Sequence, residues 1–383
     1  MTKRLLILSS LISVTLGSCS LFSTSEKQYE QKYVVIWQNY NGDILEIDRD
    51  LKLGDIPTYD GETPERNPKN DVIYFFEGWS PEITPVEKNT TYTATFTKDT
   101  IVDESEYKPV ISEDNKYIYY GLYPQSHVSD LDLINSLNEI APNEKTGWCL
   151  FNEDYYVKKA ATVYNNESYT FDDGTNIANG EEYWFKCEPI KWNILKNVNN
   201  EYEVLSDKLL DSHNYYDNYQ DRTINGKLVY ANNYKESSVR DFLNDEFYNV
   251  AFAFNNSSIK VADVDNSGDT FGNSDSIYSE GNTEDKVYLL SYKDYLNSEY
   301  GFDTNPTNVS TTRECKTTDY ARATGSWVSK ETATKNNGSY WTRSPSDEYK
   351  YCAINVNAGG HLSTYAVDGN SHSIRPALTL NIK

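Results

Sequence analysis

The sequence predicts an α+β fold in two parts, a small strand-rich module followed by a larger, loop-rich domain. Three observations carry that expectation. Alternating apolar and polar residues dominate positions 33–97, whereas after position 129 a few helix-period stripes stand among short strands and long polar loops. The 383 residues include 33 Tyr and 7 Trp, large amphipathic rings able to fill cores while keeping a polar end for hydrogen bonding. An acidic, weakly patterned linker over 98–113 separates the two parts.

Residues 1–18 read as a targeting segment and are set aside from the fold. Lys3 and Arg4 precede an apolar run over 5–16, shorter than the ~20 residues a spanning helix needs. The run ends in Leu16-Gly17-Ser18-Cys19, which resembles the lipobox of bacterial lipoprotein signals. The resemblance implies cleavage before Cys19 and a diacylglycerol on its thiol. Acyl chains hold a protein on a membrane at ~0.8 kcal/mol per buried methylene. The expected location is therefore the outer face of the bacterial cell membrane, with residues 19–32 as a polar tether.

Cleavage would remove Lys3 and Arg4 and take the net charge from −23 to −25. That excludes nucleic acid as a partner and a polybasic mode of lipid docking. Beyond Cys19 the cysteines are Cys149, Cys187, Cys315 and Cys352, widely spaced and without a C-x-x-C pair, so no zinc site is expected. Two disulfides in one of three pairings, or four buried thiols, both remain open.

The first module begins with YVVIWQNYNGD from Tyr33, an alternating strand that ends in the tight-turn pair Asn41-Gly42. TYTATFT, from Thr91, sets Tyr92, Ala94 and Phe96 on one face of a half-buried strand. Between them stand Gly54, Pro57, Tyr59, Gly61, Pro64, Phe76, Gly78 and Trp79. With Trp37 and Gly42, this pattern resembles the internalin B-repeat, or Listeria–Bacteroides repeat, of bacterial surface proteins. The resemblance implies a β-grasp-like spacer or adhesive unit over 33–97.

In the larger domain, Leu133, Ile134, Leu137 and Ile140 form one helical stripe behind a cap at Ser129 or Asp130. A longer helix is expected from Ser238, with Val239, Phe242, Leu243, Phe247, Val250, Ala251 and Phe254 on its apolar side. A third, shorter helix runs from Ser291 to a stop at Gly301. IKWNIL, EYEVLS, KVYLLS and CAINVNA read as strands.

YYGLYPQ, PIKWNIL, VLSDKLLDSHNYY, SSVRDFLNDEFYNVAF, EDKVYLLSYKDY, TDYARATG, YWTRSPS and IRPALTL follow one another between 117 and 380. In that order they resemble the DUF6273 type, domains of unknown function in lipoproteins and surface proteins of Gram-positive bacteria. That family is more remotely similar to the C-type-lectin-like fold of formylglycine-generating enzymes. The resemblance implies a loop-rich C-type-lectin-like domain over 114–383. It also raises an oxidase as an alternative, which would need two neighbouring thiolates on copper. Cys315 and Cys352 lack that family's close spacing, and a shared fold does not carry a shared function.

Candidate site residues are few. Arg322, Arg343 and Arg375 can clamp a carboxylate in bidentate fashion. They can equally satisfy loop carbonyls and stack on Trp327 or Trp341, and this structural use is preferred. His213 beside Asp211 suggests acid–base work, yet the histidines show no paired ligand spacing, and a loop histidine is the simpler reading. Asp263, Asp265 and Asp269 open a calcium-like loop, but its twelfth position is Ser274 rather than Glu, so a polar turn is preferred over calcium. Apart from the lipid, no cofactor is expected. Exposed Tyr215 and Tyr216 would stack on sugar rings. The expected function is a non-catalytic, lipid-anchored surface protein that binds glycan or protein, with a ligand-free structural spacer as a further alternative.

Overall fold

A computed structural model describes residues 31–66, 72–100, 107–144, 146–267, 278 and 281–382. The signal segment, Cys19, most of the tether and Asp269 lie outside the described residues. The chain divides into two compact units, 1–64 with 78–95 and 65–77 with 96–383.

The described residues between 33 and 100 form one sheet. Its strands are β1 (Tyr33–Gln38), β2 (Ile44–Leu51), β3 (Val72–Ser80) and β4 (Thr90–Thr100), in the order β2-β1-β4-β3. β1 runs antiparallel to β2 and parallel to β4. Trp37 is the centre of its core. It stacks on Tyr92 at 4.8 Å, meets Trp79 edge-on at 4.8 Å and lies 5.8 Å from Tyr59. Its indole N–H donates to Asp48 Oδ2 at 2.9 Å, so the buried ring leaves no donor unpaired.

The second unit opens with β5 (Val110–Ile111), β6 (Tyr117–His127) and the helix α1 (Leu131–Asn138). It continues through β7 (Cys149–Phe151), β8 (Asp154–Ala160), β9 (Glu182–Val198), β10 (Glu201–Ser206) and β11 (Asp211–Ser212). A small hairpin follows, β12 (Arg222–Ile224) with β13 (Lys227–Val229). Then come α2 (Ser238–Phe242), a π turn over Leu243–Phe247 and α3 (Tyr248–Ala251). The next strands are β14 (Ile259–Lys260), β15 (Ala262–Val264), β16 (Thr283–Asp285) and β17 (Tyr288–Leu289). After α4 (Asp319–Ala323) the chain ends in β18 (Tyr340–Pro345), β19 (Cys352–Val356), β20 (Leu362–Ala366), β21 (Ser373–Ile374) and β22 (Pro376–Asn381).

Two sheets carry this unit. The larger has nine strands, with β14-β22-β10-β9-β6-β5 as its spine. β9, at 17 residues, is its backbone and pairs with β6, β8 and β10. The second sheet has the order β11-β21-β18-β19-β20. One core joins residues far apart in sequence, among them Ile118, Phe185, Trp192, Leu243, Trp341 and Leu378. Trp192 donates its indole N–H to Tyr120 O at 2.8 Å.

Strand accounts for 38% of the structure and helix for 12%. The expected α+β class, with a β-grasp-like module and a C-type-lectin-like domain, is therefore corrected to a predominantly β fold. The physical reason lies in the apolar stripes. The 238–254 stripe forms two short helices around a π turn. The 291–301 stripe forms only two 3₁₀ turns, Asp294–Leu296 and Ser298–Tyr300. α1 is the longest helix among the described residues, with 8 residues. Meanwhile KVYLLS contributes only Tyr288–Leu289 to a strand, and IKWNIL is one part of the far longer β9.

Candidate functional site

The candidate arginines are held by the fold. Arg343, on the fully buried strand β18, donates through Nη1 to Leu289 O and Asp294 Oδ2, both at 2.8 Å. Its Nε and Nη2 donate to Asp265 O at 3.2 and 3.1 Å. Arg375 donates to Ser206 O at 3.1 Å and to Tyr340 Oη at 3.1 Å. Arg322, on α4, pairs with Asp172 at 2.6 Å and with Asp319. These three guanidinium groups share no partner, so they do not converge on one clamp. Stacking on tryptophan is replaced by other contacts. Trp341 stacks on His372 at 4.2 Å, Arg375 lies over Tyr340, and Trp327 is half-buried.

Arg313 was not among the sequence candidates, yet it is the fullest case of a cation satisfied by loop carbonyls. It is wholly buried and donates to Gly360 O, Tyr295 O, Asp303 O, Asn305 O and Asn308 O. Its neighbours in TTREC carry no pattern that marks it, because its acceptors come from three separate segments, Tyr295, the 303–308 loop and Gly360.

Other reactive groups are placed away from chemistry. His213 Nδ1 meets Asn214 O at 2.7 Å, and the ring stacks on Phe242 at 4.7 Å. His372 is buried and uncharged, its pKa pushed down to about 3 by burial alone. Cys149, Cys187, Cys315 and Cys352 are free, buried thiols. Burial raises Cys315 to about 11 despite the nearby Arg375 charge. Asp263 and Asp265 are exposed, and Asp265 Oδ1 accepts the Ser267 N–H at 2.9 Å. The Ser267 hydroxyl first, and then that backbone bond, hold the Asp265 carboxyl below its usual range. Among the described residues, no group of three or more His, Cys, Asp or Glu is placed to hold a metal.

The expectation for Tyr215 is corrected: it is fully buried, with its hydroxyl donating to Arg343 O at 3.0 Å and to Asn232 O at 3.2 Å. Tyr216 is half-buried beneath Arg222, whose guanidinium lies 3.8 Å from the ring centroid. The same loop does present a ring to solvent three residues later. Tyr219 is 56% exposed and Tyr351 42% exposed, and both line a cleft of about 520 Å³ with Gln220, Asp221, Lys350, Ala366 and Asp368.

The walls of this cleft are pinned from behind. Val367 N–H donates to Tyr351 O at 3.0 Å, while Val367 O accepts from Tyr216 N–H at 3.0 Å. One residue at the end of β20 thus fastens both tyrosine-bearing loops. The loop from β18 to β19 is gathered by Asn232, whose Nδ2 reaches Ser346 O, Tyr349 O and Cys352 O at 3.2, 3.1 and 3.0 Å. Inside the cleft, Lys350 Nζ pairs with Asp221 Oδ2 at 2.5 Å. Asp221 Oδ1 is buried without a hydrogen-bond partner. Asp368 is exposed. A second cleft, of about 350 Å³, lies along His127, Lys158, Glu182 and Trp184, but Trp184 is buried there and bonded to Asn138.

What such an arrangement can do is bind. Two aromatic faces offer stacking surfaces, and carboxylates and a lysine offer hydrogen bonds at their edge. No curated protein matches the chain, and no solved structure does either, so the expected C-type-lectin likeness gains no support from a known fold. Residues 199–382, which contain every residue lining the tyrosine cleft, match the family described as a domain of unknown function, DUF6273.

Proposed function

We propose that the chain is an exported, lipid-anchored surface protein whose second unit binds glycan in the Tyr219–Tyr351 cleft. The observation that carries this reading is the pair of exposed tyrosines in a concavity whose loops are fixed by Val367 and Asn232. Its volume falls in the ~300–1,000 Å³ range of ligand sites. Sugar rings present C–H faces that stack on tyrosine and hydroxyl edges that bond to carboxylates and amides. Binding is favoured over oxidase chemistry because the thiols and His372 are buried in their neutral forms, whereas nucleophilic or metal-bound sulfur is the thiolate. Residues 33–97 serve as a spacer of the internalin B-repeat type, and the lipid on Cys19 is the membrane partner.

Glycan-array binding by the full chain tests the reading. Tyr219→Ala and Tyr351→Ala should each weaken any bound glycan by about tenfold, or ~1.4 kcal/mol, without shifting the unfolding midpoint. An array at background, or undiminished binding by the double variant, would overturn it. The anchor is tested separately: Cys19→Ala should release the protein from the membrane fraction, and unaltered retention would defeat that part.

A further inference from the structure

The chain contains four Asn-Gly steps, at 41–42, 179–180, 225–226 and 337–338. Such a step is open to one intrinsic reaction, attack of the glycine nitrogen on the preceding side-chain amide, because glycine carries no Cβ to hinder the approach. Three of the four are locked. Gly42 N–H donates to Asn39 O at 2.9 Å, Gly180 N–H to Ala161 O at 2.8 Å and Gly338 N–H to Cys315 O at 3.0 Å. Their asparagine side chains are held as well, Asn41 on Asp43, Asn179 Oδ1 on the Val163 N–H, and Asn337 Nδ2 on Glu314 and Ala358 O. Asn225 and Gly226 differ. Both are exposed, and neither the Asn225 side chain nor the Gly226 N–H makes a hydrogen bond to the described residues. They form the two-residue loop between Ile224 and Lys227, with φ of +51° and +78°, the mirrored turn that suits this pair. The hairpin of β12 and β13 is a sheet by itself, with three residues in each strand. Its base is tied down, since Val229 is buried and Arg222 Nη1 donates to Tyr230 O at 3.3 Å. Opening therefore begins at the tip, where two short strands alone are marginally stable.

We propose that Asn225 is a site of spontaneous deamidation, a covalent modification that the fold directs to this hairpin tip. Ring closure turns the Asn225 backbone out of its left-handed conformation, so it proceeds from the opened tip, and the ease of opening sets the rate. The Gly226 nitrogen gives its proton to water and bonds to Asn225 Cγ. The Cγ–Nδ2 bond breaks, and Nδ2 leaves as ammonia with a proton returned from water. Water then opens the cyclic imide at either carbonyl, giving aspartate or isoaspartate. The net change is an amide and a water converted to a carboxylate and an ammonium. Each event adds one negative charge next to Lys227. Isoaspartate also adds a methylene to the backbone of a loop that holds only two residues.

Peptide mapping by mass spectrometry tests this on the full chain, sampled over time in mildly alkaline buffer. Trypsin cuts after Arg222 and Lys227, so the step at 225–226 is read in a peptide of its own. Its conversion in the folded chain should run at least about tenfold faster than conversion at Asn41, Asn179 or Asn337. Both products should appear, matched to synthetic aspartyl and isoaspartyl versions of residues 223–227, since only the ring route makes isoaspartate. In concentrated urea the four steps should react at similar rates, because the protecting bonds at Gly42, Gly180 and Gly338 are gone. Faster conversion at any of the other three steps in the folded chain would overturn the assignment, as would an intact Asn225 after the others have reacted. A lead for Asn225 that persisted undiminished in urea would place its cause in the flanking sequence and overturn the role of the fold. Aspartate without isoaspartate would overturn the cyclic route.

Discussion

Arg343 is held by carbonyls of residues 265 and 289 and by the carboxylate of Asp294. The sequence makes an arginine between Trp341 and Pro345 conspicuous. Its partners were not legible, because they arrive from loops some fifty and eighty positions away. Arg343→Ala would leave Leu289 O, Asp265 O and Asp294 without their donor, and should cost about 3 kcal/mol in a urea titration. An unchanged midpoint would contradict the structural role. His372 gives a pH prediction with a definite sign. Its folded pKa is about 3 against an ordinary 6.5, so below 6.5 the unfolded chain takes up a proton that the folded chain refuses. The stability it supports is intact above pH 6.5 and is lost as pH falls toward 3, by at most about 1.4 kcal/mol per unit. The urea midpoint should fall over this range more steeply in the wild type than in His372→Gln; parallel slopes would refute it.

Among the elements, strands were easier to read than helices. EYEVLS is β10 as it stands, because alternation over six residues already defines a half-buried strand. α1 was legible too, and Asp130 caps it by accepting from the N–H groups of Asp132 and Leu133. Asp130→Ala should cost about 1 kcal/mol, measured as a small fall in the thermal midpoint. The 238–254 stripe misled because its π turn is set by one side chain. Asn244 Nδ2 bonds Arg240 O four residues back and also Val287 O, while its Oδ1 accepts from Lys286 N–H at 2.8 Å. A side chain inserted into the helical ladder opens it, and the helix ends at Ala251, short of Phe254, which is 41% exposed. Gly360 is a turn that no periodicity announces. Its φ is +79°, a Cβ there would run into the Ser310 carbonyl, and its own carbonyl accepts from Arg313. Gly360→Ala should destabilise the unit by more than 2 kcal/mol, about the strain of a left-handed residue plus a backbone clash.

At the scale of the whole molecule, the family match and the folding unit have different boundaries. The match begins at residue 199, yet β10 pairs with β9 over 192–198, and Trp192, Phe185 and Ile118 belong to the same core as Leu378. A fragment of residues 199–382 would lack those partners and expose their apolar surface. It should show no cooperative unfolding transition, whereas residues 107–383 should show one; cooperative melting of the shorter fragment would refute this. The α+β expectation failed at this scale because short amphipathic stripes do not reveal that a 17-residue strand will dominate. β22 carries a consequence for biosynthesis. It pairs with β10, β14 and β17, so the strand at 376–381 fills the middle of a sheet whose earlier members are made long before it. Synthesis on the ribosome therefore holds β10 beside an open edge until these residues emerge. The growing chain stays pliable, and open to capture by chaperones, until the closing strand arrives.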